Sequence, residues 1–323
     1  MPKADLVLEG GGVKGLGLVG AVLHLMREGY TFPRVAGTSA GSIVAAFLAA
    51  GATADGLAGI MGRLDYSRVP DRGGLPGVSE SLGLARHSGA HPGNYIHGFV
   101  RDELERLGVR TFADLERDTL VVTATDITRG ILLRLPWDYE SLGLDPGEQP
   151  VADAVRASIS IPLFFEPVQL ADRTLVDGGV LSNFPIAMFD RPKPRWPTFG
   201  VKVIPDAPDA NALLFPGLPF PQPPPVRLLT RVMTTAVLGH DQTYLDQPCV
   251  RRRAIQVDTS DVGIVEFGAS EETRAGLVAE GERAARDFLA EWDWDAYRHE
   301  CRGAPKVTQR GATARRSAGP APA

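Results

Sequence analysis

Apolar positions change their period several times in the first fifty residues. Asp5 to Glu9, with Leu6-Val7-Leu8 at its centre, reads as a short buried strand. From Gly15 to Glu28 the residues Leu16, Val19, Val22, Leu23 and Met26 recur at helical spacing. Arg34-Val35-Ala36 then predicts a second short strand, and Ile43 to Ala50 a second, very apolar helix. A strand–helix–strand–helix rhythm of this kind predicts an α/β fold, a parallel sheet covered by helices.

Residues 69–93 are rich in glycine and proline and read as a long loop. A helix is expected over 95–107, strands over 120–127 and 131–136, and a helix over 150–158. Residues 167–179 have the look of a hairpin with Ala171-Asp172 near its tip, and 199–204 of another strand. Residues 205–225 carry eight prolines, a density that forbids a regular ladder or helix interior. A helix over 226–247, a strand over 251–259 and closing helices over 270–300 follow. Beyond Glu300 the tail has five basic and no acidic residues amid Gly, Ala and Pro, and is expected to be disordered. The expected organisation is one domain over 1–300 (core 5–205, Pro-rich segment 205–225, C-terminal helices and strand 226–300) and a basic tail over 301–323.

Two glycine clusters carry the candidate chemistry. Gly10, Gly12 and Gly15 spell G-x-G-x-x-G between the first strand and helix, a pattern that by itself suggests dinucleotide binding. That reading needs a carboxylate about 20 residues on, at the end of the next strand. Here that strand runs into Gly37-Thr38-Ser39, which has none, and no G-K-[ST] makes a phosphate loop either. Gly37-Thr38-Ser39-Ala40-Gly41 instead matches G-x-S-x-G at a strand–helix junction, where a sharp turn exposes the serine hydroxyl. A serine nucleophile needs donors for a developing oxyanion. The Gly10-Gly11-Gly12 loop can offer bare N–H groups at a helix start, and two neighbouring parallel strands would aim both loops into one crevice.

A base is also required. None of the six histidines falls in a turn at a strand end: His24 and His240 lie on expected helices, His87, His91 and His97 in or beside the Gly/Pro-rich loop, and His299 near the tail. Asp177, directly after a strand and followed by Gly178 and Gly179, is the better candidate. Asp126 reads as a brace for a strand end.

The bulk numbers exclude several classes. With 323 residues, 44% of them hydrophobic and 23% charged, the chain has ample material for a core, and a net charge of −5 does not point to nucleic acid. Cys249 and Cys301 are too few for a disulfide framework and have no metal-ligand spacing, so a reducing compartment is expected. No signal peptide and no run of about 18 apolar residues is present. A cytoplasmic chain is expected, meeting any membrane from the side.

Three blocks together, "GGGVKG" at 10–15, "GTSAG" at 37–41 and "DGG" at 177–179, resemble the patatin-like phospholipases. Smaller echoes are "TATD" at 123–126, "ASISIPLFFEP" at 157–167, and Asn183 with Pro185; the likeness covers residues 5–190. The resemblance implies a three-layer α/β sandwich and a lipid acyl hydrolase of phospholipase A or lysophospholipase type, working at a membrane or micelle surface without metal or cofactor. It implies Ser39 as nucleophile and Asp177 as base. Gly11 and Gly12, with Gly10 beside them in the loop, would be oxyanion donors helped by the Ala40 amide, and Lys14 fills the family's usual basic position. Gly15, Gly37, Gly41, Gly178 and Gly179 support these motifs. Under that reading the Pro-rich segment is either a wrapping loop or a lid that meets acyl chains. A short-chain esterase or thioesterase, and a non-catalytic lipid- or nucleotide-binding module, are the alternatives. Head group, acyl position and oligomeric state are not fixed by these residues.

Overall fold

The computed structural model describes residues 1–71, 88–203, 247–259 and 262–303, together with Pro224, Leu228, Val232 and Thr235, each in helical conformation. Of the helix expected over 226–247, Gln247 is described and is extended, capping the next short helix. Apart from Leu228, Val232 and Thr235, the other residues of that expected helix (His240 among them), the rest of the Pro-rich segment, His87 and the tail from 304 lie outside the described residues.

One sheet of eight strands organises the molecule. Its parallel part is β10 (Ala254–Gln256), β9 (Thr198–Lys202), β1 (Asp5–Leu8), β2 (Val35–Gly37) and β4 (Leu120–Asp126), in that spatial order. Three antiparallel strands complete it: β5 (Ile131–Leu135) and β8 (Arg173–Asp177) against β4, and β7 (Val168–Leu170) against β8. A separate pair joins β3 (Gly89–His91), inside the expected long loop, to β6 (Leu163–Phe165). His91 is buried there against Phe164 and Phe165.

Alternation along the strands sorts side chains to two faces. Leu6, Leu8, Val35, Val122 and Val201 enter the larger core, covered by α1 (Gly15–Arg27), α2 (Ala40–Ala49), α3 (Ala54–Arg63), α4 (Asn94–Arg106) and α5 (Val151–Ser158). Val7, Ala36 and Val121 face the other way, under Phe184, Ile186 and Phe189 and under Val250 of α6 (Pro248–Arg251). The fold is thus the mixed α/β arrangement expected, a central sheet flanked by helices.

The C-terminal helices α7 (Glu271–Glu291) and α8 (Trp294–Arg302) close the domain. α7 approaches α1 almost backbone to backbone. A Cβ at Gly20 would overlap the carbonyl oxygen of Val278, and one at Gly281 the carbonyl oxygen of Gly17, so glycine is required at this crossing.

Cys249 of α6 and Cys301 of α8 form a disulfide across 52 residues of sequence. The bridge removes the ground for the expected reducing compartment, since the two cysteines are paired with each other. One bridge needs only one tertiary approach, which sequence spacing does not reveal. The same junction gathers Arg253 and Arg302 on the carboxylate of Asp190, at 2.5–2.9 Å.

Because the α1–α7 contact has no room for a side chain, Gly20→Val should cost about 3 kcal/mol of unfolding free energy in urea titrations. Gly276→Ala on the open face of α7, where a Cβ meets nothing, should gain up to about 1 kcal/mol.

Candidate active site

The pairing of β4 brings remote residues together. Val122 pairs with Gly37 on one edge and Leu135 on the other; Ala124 pairs with Asp177 and Leu133. Since β5 occupies one edge for this whole length, β2 and β8 must share the other. They run towards each other and stop at Gly37 and Asp177, with only Thr123 between their partners. The turns that follow each strand are therefore pressed together. Thr38 Oγ1 and Thr123 Oγ1 are hydrogen-bonded at 2.7 Å, and a Cβ at Gly178 would overlap Thr123 Oγ1.

Ser39 occupies the sharp turn with φ 50° and ψ −124°, a conformation that costs a non-glycine residue of order 1–3 kcal/mol. The surroundings hold it there. Its N–H donates to Ser158 Oγ at 2.9 Å, and its carbonyl accepts from the N–H of Ser42 at 2.9 Å and from the Ser42 hydroxyl at 2.6 Å. A Cβ at Gly41 would press on the carbonyls of Leu8 and Glu9, so the elbow lies directly on the end of β1. α2 starts at Ala40, three residues before the expected Ile43, because the turn itself forms its first step.

Asp177 is 4% exposed. Its N–H donates to the Ser160 carbonyl at 2.9 Å, and its Oδ1 accepts from the Gly179 N–H at 2.8 Å. Oδ2 is buried with no partner at normal hydrogen-bond geometry. Burial pushes this carboxyl up to about 7, against the opposing pull of the Ser39 hydroxyl and the Gly179 amide.

The glycine loop lies beside the pair. Gly10 is latched in both directions by Asn183: its N–H donates to the Asn183 carbonyl and its carbonyl accepts from Asn183 Nδ2, each at 3.1 Å. The Gly10 amide is thus occupied, contrary to its expected place among the free donors. Among the described residues, the amides of Gly11, Gly12 and Ala40 donate to no backbone carbonyl. Gly12 has φ +55° and its missing side chain would strike the carbonyl of Ile264, so no larger residue fits that bend. A Cβ at Gly15 would sit 2.8 Å from Ala40 Cβ, which brings the starts of α1 and α2 together and directs two positive helix ends to one place.

Lys14 is not the solvated side chain that a helix start could carry. It is 2% exposed, and its Nζ donates to the Thr259 carbonyl at 2.9 Å, tying the loop to the segment after β10. Asp126 is a fully buried brace that accepts from the amides of Thr128 and Arg129 and from Arg173. The sequence around Ser158 carries part of the family likeness but no sign of this role for its hydroxyl, and nothing in the pattern singles out Arg156. The buried guanidinium of Arg156 donates to Ser160 Oγ and to the carbonyls of Pro92 and Glu166, fixing the turn that holds the Asp177 backbone. An arginine in a helical pattern announces none of this.

Ser39 opens onto a narrow apolar cleft. Ile43, Val44, Ile96, Ile159, Phe165 and Phe267 are among its walls. Among the described residues no cluster of three or more His, Cys, Asp or Glu is placed to hold a metal ion.

The sequence profile described as patatin-like phospholipase matches residues 6–190, more than half of the chain. The chain belongs to the patatin-like phospholipase family. YqhO of Bacillus subtilis is 34% identical over 300 residues, 90% of this chain and 99% of its own length. The NTE family protein MT2641 of Mycobacterium tuberculosis is 31% identical over 56% of this chain, which spans only 27% of that protein. Among solved structures, VipD of Legionella pneumophila superposes with a TM-score of 0.54 at 19% identity, covering 89% of this chain and 66% of VipD. ExoU of Pseudomonas aeruginosa, in its heterodimeric complex with SpcU, gives 0.51 at 20% identity over 90% and 52%. These two likenesses concern the fold. Membership makes the chain a lipid hydrolase at the level of the family. Ile264 and Phe267, which shape the glycine loop and the cleft, come from outside the matched patatin-like residues.

A carboxyl raised by burial destabilises the folded state wherever the unfolded chain would ionise it. The cost from Asp177 is absent below about pH 4, grows as pH rises to about 7, and is constant above. Asp177→Asn should therefore raise the unfolding free energy from urea titrations at pH 8, by up to about 4 kcal/mol, and lose that advantage at pH 4. Paired unfolding curves at the two pH values check it.

Proposed function

We propose that the chain is a lipid acyl hydrolase that cleaves carboxylic esters through Ser39 and Asp177. The observation that carries this reading is a desolvated carboxyl beside a strained serine hydroxyl at the mouth of an apolar cleft. A carboxylate in water is a poor base near neutrality. One held near 7 has proton affinity suited to taking the hydroxyl proton.

In the proposed cycle Ser39 Oγ attacks the ester carbonyl carbon as its proton passes to Asp177. The negative charge that forms on the carbonyl oxygen is received by the amides of Gly11, Gly12 and Ala40, at the convergent helix starts. Collapse breaks the ester C–O bond, and the leaving alcohol takes the proton from Asp177. Water then attacks the acyl-enzyme with Asp177 again as base, releasing the carboxylic acid and restoring Ser39. The chain fits a phospholipid or other acyl-lipid substrate, its acyl chain in the apolar cleft and its polar part outside, at a membrane or micelle surface. Among the described residues no helix is long and apolar enough to cross a membrane, so peripheral contact is the mode proposed.

Ser39→Ala and Asp177→Asn should each lower turnover on phospholipid vesicles by at least about 10³-fold while leaving the fold intact, and an alkyl fluorophosphonate should label Ser39. In the wild type kcat/KM should rise about tenfold per pH unit below pH 7 and flatten above it, because only the ionised Asp177 accepts the proton. Normal turnover by Asp177→Asn, or a flat profile between pH 5 and 7, contradicts the mechanism.

A further inference from the structure

A second cavity lies behind the wall of the first. It is an outer groove, open to solvent along one side, between α1, α3 and α7, and Met61, Leu64 and Tyr66 line both spaces. The partition is therefore one layer of side chains thick. All three residues are buried, at 7–8% exposure.

The outer cleft exists because small residues line it. Ala58 and Gly62 stand one turn apart on α3, and Ala275 faces them from α7. A Cβ at Gly62 would meet nothing within 4 Å. Its floor is apolar, made by Leu16, Val19 and Leu23 of α1. At the rim stand Glu271 and Arg274, the guanidinium of Arg274 lying 5.5 Å from the centre of the Tyr66 ring. Within the partition Met61 is the yielding part, since an unbranched thioether changes rotamer more easily than its neighbours.

We propose that the outer cleft receives the distal part of a long acyl chain whose carbonyl is held at Ser39, with Met61 turning aside to join the two spaces. The inference rests on the reading of the Ser39 site given above, and what it adds is a second subsite, between α1, α3 and α7, for the far end of the acyl chain. Continuity through a shared partition identifies the occupant. A chain that fills the inner cleft and passes the shared partition meets the apolar side chains of the outer one. A polar ligand would have to leave Glu271 and Arg274 at the rim for a floor of leucine and valine.

The test uses binding, so that it does not depend on turnover. Isothermal titration of the Ser39→Ala protein with octanoate and hexadecanoate, below their micelle concentrations, gives the affinity ratio of long to short chain. Two further substitutions fill the outer cleft from opposite sides, Gly62→Leu and Ala275→Trp. The first replaces a helical glycine with a better helix former and so does not act by unfolding.

Each should reduce the hexadecanoate-to-octanoate affinity ratio by at least about tenfold, the effect of a few methylenes losing their apolar surroundings. An unchanged ratio in both variants overturns the proposal, as does an equal loss for the two acids. Failure of the catalytic reading is separate: it shows as absent fluorophosphonate labelling of Ser39 in the wild type while the affinity ratio still responds to Gly62→Leu.

Discussion

The shared edge of β4 is the constraint from which the rest of the site follows. A parallel strand and an antiparallel strand meet end to end on it, at Gly37 and Asp177, with Thr123 opposite the gap. Both strands must turn out of the sheet in the same small volume. One turn contains Ser39 and the other Gly178-Gly179, so hydroxyl and carboxyl become neighbours although 138 residues separate them. The sheet pairing by itself is enough to bring them together, whatever the attraction between the two side chains adds. The same crowding explains why water is excluded from Asp177, and hence why its carboxyl holds its proton to about pH 7.

Such a junction is unfavourable in itself. It combines positive φ at Ser39, a buried carboxyl oxygen without a partner, and two loops with little room for side chains. Strain of this kind persists only where the surroundings over-determine it. Here the fixing groups are polar and come from three directions: Ser158 on the Ser39 amide, Asn183 on both sides of the Gly10 peptide, and Ser160 on the Asp177 amide. Arg156 secures the last of these by holding Ser160 and the neighbouring backbone. The apolar core under α1 and α2 supplies the stability that this arrangement draws on.

What could be read from the sequence divides along the range of the forces involved. The first two strands and helices, the strands β4 and β5 and the hairpin ending at Asp177 follow from local periodicity and turn chemistry, and they lie within three residues of where those signals put them. α3 has an N-cap, Thr53 accepting from Gly56 N–H, yet its apolar stripe is short and interrupted by glycines, so it escaped notice. β3 went unseen because three residues inside a Gly/Pro-rich stretch have no pattern until β6 pairs with them. The buried Lys14, the occupied Gly10 amide and the Cys249–Cys301 bridge depend on partners 173 to 245 residues away or on a helix junction, which a local reading does not reach. The glycine blocks were legible because close backbone approach leaves its mark in composition.

The same physics bears on the two readings of the glycine loop and supports the ester chemistry proposed above. A pyrophosphate carries permanent charge and needs polar space and a ribose-binding carboxylate beside it. The space beside Gly12 is instead lined by isoleucine, valine and phenylalanine, and the acid nearby is a carboxyl that burial keeps largely protonated below neutrality. Permanent charge would be poorly solvated there. A charge that exists only during bond rearrangement requires no standing solvation, and the low dielectric strengthens the pull of the few amides aimed at it. An apolar cleft with two helix starts at one end therefore favours a neutral ester as its guest and a transient anion as its reaction centre. Ester chemistry on an acyl chain is the reading in which the apolar walls, the convergent helices and the desolvated Asp177 assist one another.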